Sequence, residues 1–157
     1  MRLTTTALLF SLLAACQQTP SEPAAEVATK PAATAVTGTW KLLTGTLIQK
    51  GDTTVTDYTK GQSFIKIIND SHFAFLHHDL SKGKDSAALY SSGGGSYILK
   101  DTLYTEHLEY CTARQWEGNN FEFTVTIKGD TLIQKGIEKI QDLGVDRLNI
   151  EKYVRVN

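Results

Sequence analysis

The densest run of chemically capable side chains lies between Tyr104 and Arg114. Read as an extended strand, alternation places Tyr104, Glu106, Leu108, Tyr110 and Thr112 on one face. Thr105, His107, Glu109 and Cys111 fall on the other. Neither face is cleanly apolar, in contrast to Phe121, Phe123, Val125 and Ile127 further on. A strand that is polar on both sides suits a wall whose inner face meets a polar cavity. Tyr104, Glu106 and Tyr110 are the choice for that inner face, because its two tyrosines carry the larger rings. An edge strand with solvated charges is the other reading. A buried carboxylate needs a partner, and Arg114 or Arg155 could supply it.

The last strand poses the same question. Glu151, Tyr153 and Arg155 share one face, and Lys152, Val154 and Val156 the other. Counting apolar residues turns Leu148, Ile150, Val154 and Val156 inward; a polar cavity turns Glu151 and Tyr153 inward. Both readings stay open. His77-His78-Asp79 offers metal ligands, with His72 or His107 as further candidates. Adjacent histidines on a strand point to opposite faces, and no H-x-x-x-H or C-x-x-C spacing occurs, so no metal site is expected. Gly93-Gly94-Gly95 lacks a following Lys-Ser/Thr, which makes a bulge or sharp kink the expectation. Glu106, His107 and Glu109 are possible acid–base groups, but no nucleophile pairs with them. The sequence therefore points to neither an enzyme nor a cofactor.

The elements that carry these residues alternate with a period of two. Strand patterns run over residues 40–49, 53–59, 63–68, 72–78, 88–99, 103–113, 121–128, 131–140 and 147–156, with tight Gly, Asp and Asn turns between them. Short strands with short connections imply an antiparallel meander. Closure removes its two edges, so the expected fold is an all-β, up-and-down barrel of about 8–10 strands. The segment 136–144 fits a strand followed by a loop, or a short helix ending at Gly144. Thr46-Leu47-Ile48-Gln49-Lys50-Gly51 recurs as residues 131–136. One echo is not a repeat architecture, but it suggests two strands in similar surroundings.

Composition divides the chain of 157 residues in two. Its three prolines fall at positions 20, 23 and 31, and all 12 glycines at or after Gly38. The net charge is −1, and setting aside Arg2, Lys30, Glu22 and Glu26 leaves that balance unchanged. No basic excess is available for nucleic acid. With 41% hydrophobic and 21% charged residues, the chain is neither disordered throughout nor a multispan membrane protein. Residues 1–16 have the form of a secretory signal whose apolar run is too short to span a bilayer. They end in Leu13-Ala14-Ala15-Cys16, which resembles the lipobox of bacterial lipoproteins, where the Cys carries the lipid. Gln17 replaces the Asp that marks inner-membrane retention in that class, so the expected address is the cell envelope, lipid-anchored at the outer membrane. Residues 17–37 contain no aromatic side chain and read as a flexible linker. Lipidation of Cys16 leaves Cys111 alone, and a lone Cys in a strand is ordinarily a small buried hydrophobe.

Gly38-Thr39-Trp40 at the start of this meander resembles the lipocalin and wider calycin signature. In that fold the Trp plugs the closed end of the barrel and a basic residue of the final strand crosses its ring. Gly38, Trp40 and Arg155 match those structural positions. More specifically, residues 38–157 resemble the lipocalin-like lipoproteins of Bacteroidetes-type genomes. The likeness runs through residues 38–41, Phe73-Ala74-Phe75, residues 91–97, residues 104–110, Phe121-Glu122-Phe123, Gly136-Ile137-Glu138-Lys139 and residues 151–156. It implies a small ligand-binding barrel and no particular ligand. A small, partly polar or hydrophobic molecule would then meet Tyr97, Tyr104, Glu106, Tyr110, Arg114 and Phe123, with Phe73 and Phe75 as apolar wall. The alternative is an envelope protein-interaction module with a filled barrel, working through loops 79–86 and 114–120, with Trp116 as anchor.

Overall fold

Nine strands follow in sequence: β1 Gly38–Gln49, β2 Asp52–Asp57, β3 Gln62–Ile68, β4 His72–Asp79, β5 Tyr90–Lys100, β6 Leu103–Cys111, β7 Asn120–Lys128, β8 Thr131–Ile140 and β9 Val145–Val156. This computed structural model describes residues 35–86 and 88–156. The signal segment, Cys16 and the linker up to residue 34 lie outside the described residues. Each strand from β3 to β9 pairs antiparallel with the next, and β1 pairs with β9 along nearly its whole length, which closes the sheet. β2 and β3 share one edge of β1. β3 lies against Gly38–Lys41 and β2 against Thr44–Gln49, and both run antiparallel to it. They are two segments of one wall, so the closed up-and-down barrel has eight positions. Residues 136–144 resolve into the end of β8 and a 3-10 turn, Gln141–Leu143, capped by Gly144.

One end of the barrel is sealed. Trp40 is fully buried there, and its indole N–H donates to the Val36 carbonyl at 2.7 Å. The Arg155 guanidinium lies 4.0 Å from the centre of the Trp40 ring. It also donates to the carbonyls of Ala35 at 2.7 Å and Thr37 at 2.8 Å. Stacked, charged and doubly bonded, Arg155 ties the entering chain to the final strand; the ring contact alone is worth ~0.5–2 kcal/mol. Gly38 makes this possible. Its φ is +133°, and a Cβ there would meet the Arg155 Nη1 at 2.6 Å. Val36 is buried under the same cap, so the barrel's contacts begin ahead of Gly38.

Above the cap sits a layer of buried side chains: Leu42, Ile68, Phe73, Tyr104, Phe123, Val125, Leu132 and Tyr153. The inner face of β9 corrects the count of apolar residues. Tyr153 is 1% exposed and Asn149 is buried, while Val156 is 46% exposed. Pairing decides this. β9 hydrogen-bonds to β1 on one side and β8 on the other, with Tyr153 opposite both Leu42 and Leu132. Since those two leucines face the core, Tyr153 must face it too. The hexapeptide echo meets β9 from both sides: residues 46–48 of β1 pair with residues 148–150, and residues 131–136 of β8 with residues 149–154.

Candidate functional site

Alternation carries the polar residues of β8 and β9 into the upper half of the barrel. There they line a cavity of about 400 Å³. Its walls include Leu47, Tyr58, Phe64, Phe75, Leu108, Phe121 and Phe123, and its polar lining includes Lys66, Glu106, Gln134, Glu138, Arg147, Asn149, Glu151 and Tyr153. The barrel is therefore not filled, which removes one premise of the interaction-module alternative.

Lys66 anchors the floor. Its side chain is 5% exposed and that of Glu106 is 9% exposed, and the two form an ion pair. Lys66 Nζ also donates to Gln134 Oε1 at 2.9 Å. It lies 5.1 Å from the Phe73 ring centre and 5.4 Å from that of Tyr104. A buried ammonium this far from solvent requires such a complete shell. The second pair stands higher. Arg147 Nε donates to Glu138 Oε2 at 2.6 Å, and Asn149 Nδ2 donates to Glu138 Oε1 at 2.8 Å. The Arg147 guanidinium rests 5.2 Å from the Trp116 ring centre.

Glu151 stands between these pairs. The Tyr153 hydroxyl donates to its Oε2 at 2.8 Å. Burial raises the Glu151 pKa, and the charges of Glu138 and Glu106 add to the rise; Lys66 and the Tyr153 bond act against it. Burial likewise lifts the Tyr153 phenol far above its ordinary range. Tyr104 is pushed up in the same way, first by burial and then by Glu106. Its hydroxyl is turned toward that carboxylate but meets no hydrogen-bond partner among the described residues.

The residues nominated from sequence separate into three groups. Glu106, Phe75 and Phe123 border the cavity. Tyr104 and Phe73 pack beneath it, and Tyr97 stands at the base, its ring 4.9 Å from Tyr104 and its hydroxyl donating to the Asn69 carbonyl at 2.7 Å. Tyr110 and Arg114 are elsewhere. Tyr110 is 68% exposed. The cause is a bulge: Gly94 pairs with Tyr110 but Gly95 pairs with Leu108, so Glu109 is an extra residue in β6. Alternation flips there, turning Tyr110 out and Cys111 in, where it lines the cavity. The Glu109 carboxylate fastens the bulge by accepting from the Ser96 amide at 3.0 Å and its hydroxyl at 2.7 Å. Arg114 sits past the strand in the 3-10 turn Arg114–Trp116, its side chain 82% exposed and paired with Glu117 at 2.9 Å. Arg147 fills the role expected of Arg114, as the guanidinium that pairs with a buried carboxylate.

Trp116 is likewise no exposed anchor. It lines the cavity, with its ring 5.9 Å from that of Phe121. The loop is held from within, because Glu117 Oε1 accepts the Cys111 amide at 2.8 Å and Asn119 Nδ2 donates to the Trp116 carbonyl at 2.9 Å. In the loop after β4, Asp79 accepts from Ser81 Oγ at 2.5 Å, the Gly83 amide at 2.9 Å and the Leu89 amide at 2.8 Å. These bonds hold its carboxyl well below the usual range.

Lys66, Gln134, Glu138, Arg147 and Asn149 escaped the sequence reading. Lys66 left a trace: it is the one charge in Phe64-Ile65-Lys66-Ile67-Ile68. In β8 the outer face carries Ile133 and Ile137, 39% and 53% exposed, so hydropathy there points the wrong way. No group of three or more His, Cys, Asp or Glu side chains is placed to hold a metal among the described residues. Compared with known proteins, the chain matches no family model and no curated protein sequence.

Proposed function

We propose that this protein is a lipid-anchored binding protein of the cell envelope, held at the outer membrane through Cys16, whose lipocalin-like barrel takes up a small, partly polar molecule. One observation carries the binding reading. The upper barrel keeps a cavity of about 400 Å³ in which apolar and aromatic walls surround fixed, mutually bonded polar groups. That volume falls within the ~300–1,000 Å³ range of small-molecule pockets, and a few placed polar groups among apolar walls are what fixes a ligand's orientation. The reading is of binding rather than catalysis: Glu106 and Glu138 are each engaged by a cation, and the cavity's thiol, Cys111, has no base bonded to it among the described residues. The anchor rests on Leu13-Ala14-Ala15-Cys16 after a short apolar run.

Native mass spectrometry of the mature, detergent-solubilised chain tests the cavity. The expected result is a retained small molecule, or a mass shift on exposure to a metabolite extract. A chain that stays ligand-free and gains no thermal stability from such an extract refutes the reading. Replacing Cys16 by Ser should move the protein from the membrane to the soluble fraction, and continued membrane retention refutes the anchor.

A further inference from the structure

The cavity's charges do not balance. Its lining carries three carboxylates, Glu106, Glu138 and Glu151, and two cations, Lys66 and Arg147. Both cations are already engaged, Lys66 by Glu106 and Gln134, and Arg147 by Glu138 and the Trp116 ring. Glu106 and Glu138 each have an ion-pair partner. Glu151 has the Tyr153 hydroxyl and, among the described residues, no cation within ion-pair distance. The buried Tyr104 hydroxyl beneath the cavity, turned toward Glu106, is a second polar group that meets no hydrogen-bond partner among the described residues. Glu151 is half-buried, and a carboxylate removed even in part from water is ordinarily paired. Here the pair is incomplete beside open volume.

Resting on the reading of the cavity as a ligand site, we propose that its ligand is a small amine: a cationic nitrogen pairs with the Glu151 carboxylate, and an apolar body lies against Phe64, Phe75, Leu108 and Phe123. An ammonium placed there would bring the cavity's formal charge to zero. Surrounding rings favour a cation over an anion, because their faces are negative. An anionic ligand would meet one carboxylate too many, and its natural partners, Lys66 and Arg147, are taken. Burial raises the Glu151 pKa, with Lys66 acting against the rise, and an ammonium beside the carboxylate would lower it further.

The test uses two matched probe series, phenylalkyl and octyl, each offered as the amine, the alcohol and the carboxylate. Binding to the mature chain is followed by calorimetry and by Trp fluorescence, for which Trp116 in the cavity wall is the reporter. The amines are expected to bind at least about tenfold more tightly than the alcohols, and the carboxylates most weakly of all. Glu151→Gln keeps the shape and the acceptor for Tyr153, and should cut amine affinity about tenfold or more while leaving alcohol affinity nearly unchanged. Alcohols or carboxylates that bind as well as the amines overturn the inference and leave the cavity reading standing. So does a Glu151→Gln chain that binds amines like the parent. If no member of either series binds, the cavity reading falls and this inference with it.

Discussion

Lys66 and Glu106 form an ion pair under the cavity, and replacing one without the other should unsettle the whole floor. In Lys66→Met the apolar stem is conserved and the ammonium lost. Glu106 then keeps a carboxylate that is 9% exposed with no cation, and Gln134 Oε1 loses the donor at 2.9 Å. Breaking one side of a buried pair costs about 3–5 kcal/mol, mostly because the surviving charge stays buried and unpaired. Glu106→Leu strands the ammonium instead, although Gln134 and the rings of Phe73 and Tyr104 still surround it, so its cost should sit at the lower end of that range. The double variant removes both charges from a layer already apolar around Phe73, Tyr104 and Phe123. It should lie within about 1–2 kcal/mol of the parent, giving a coupling of several kcal/mol. Urea titration read by Trp fluorescence measures all three, and at about 3–6 °C per kcal/mol for a domain this size each single variant should melt about 10–30 °C early. Single costs under about 1 kcal/mol, or a double variant that simply sums the singles, would refute the claim that this pair is desolvated and coupled.

Three further outcomes follow from the same geometry. Glu151 has a folded-state pKa above its unfolded value near 4.5, so the unfolded chain ionises first as pH rises; stability conferred by the protonated form is present in acid, falls through the interval between the two values, and is lost above the folded one. Glu151→Gln should therefore leave stability unchanged below about pH 4 and raise it at pH 7, and thermal melts that show equal stability at both pH values would contradict the burial of this group. Arg155→Lys keeps the charge but not the planar fork over Trp40 and the carbonyls of Ala35 and Thr37, so it should destabilise by about 1–3 kcal/mol in urea titration and increase proteolysis near residue 36. Gly95→Ala places a Cβ against the His107 carbonyl oxygen at the bulge, and should cost more than about 2 kcal/mol in the same titration, whereas Gly118→Ala, with open space around its Cβ and a left-handed φ of +80°, should cost only about 1 kcal/mol.

The barrel was legible because its signals are local. Turns at Lys50-Gly51, Asn69-Asp70, Lys100-Asp101 and Gly129-Asp130 each join neighbouring antiparallel strands, and Trp40 and Arg155 meet because closure makes the first and last strands neighbours. The eight-position count was less legible, since β2 and β3 read as two strands but occupy one place in the wall. The site was legible only where alternation is unbroken. Tyr104 and Glu106 were oriented correctly, but the register slip at Glu109 reverses the assignment for Tyr110 and Cys111. That slip depends on Gly94 and Gly95 in the partner strand, where a side chain at either position would strike backbone across the sheet. A single strand's sequence does not contain this information.

The orientation of β9 exposes the deeper reason for the failure. Hydropathy assigns the apolar face to the interior on the premise that interiors are dry and full. In this barrel the lower layer obeys that premise, with Trp40, Leu42, Phe73 and Leu132 packed together, while the upper half surrounds open space. There the inner face of β9 reads Arg147, Asn149, Glu151, Tyr153, and that of β8 reads Gln134, Glu138. Apolar residues pass to the outside, as Ile133 and Ile137 do. Burying this many polar groups is unfavourable unless each finds a partner, and most of them do, through Lys66–Glu106 and Glu138–Arg147–Asn149. A fold that needed only stability could fill the same volume with leucines, and replacing buried ion pairs by packed apolar side chains is often neutral or stabilising by ~1–4 kcal/mol. The polar face of β9 is thus hard to explain as packing. It is explained if the space beside Glu151 belongs to a molecule that the protein must recognise, and Glu151, the cavity carboxylate without a cation among the described residues, says what that molecule should bring.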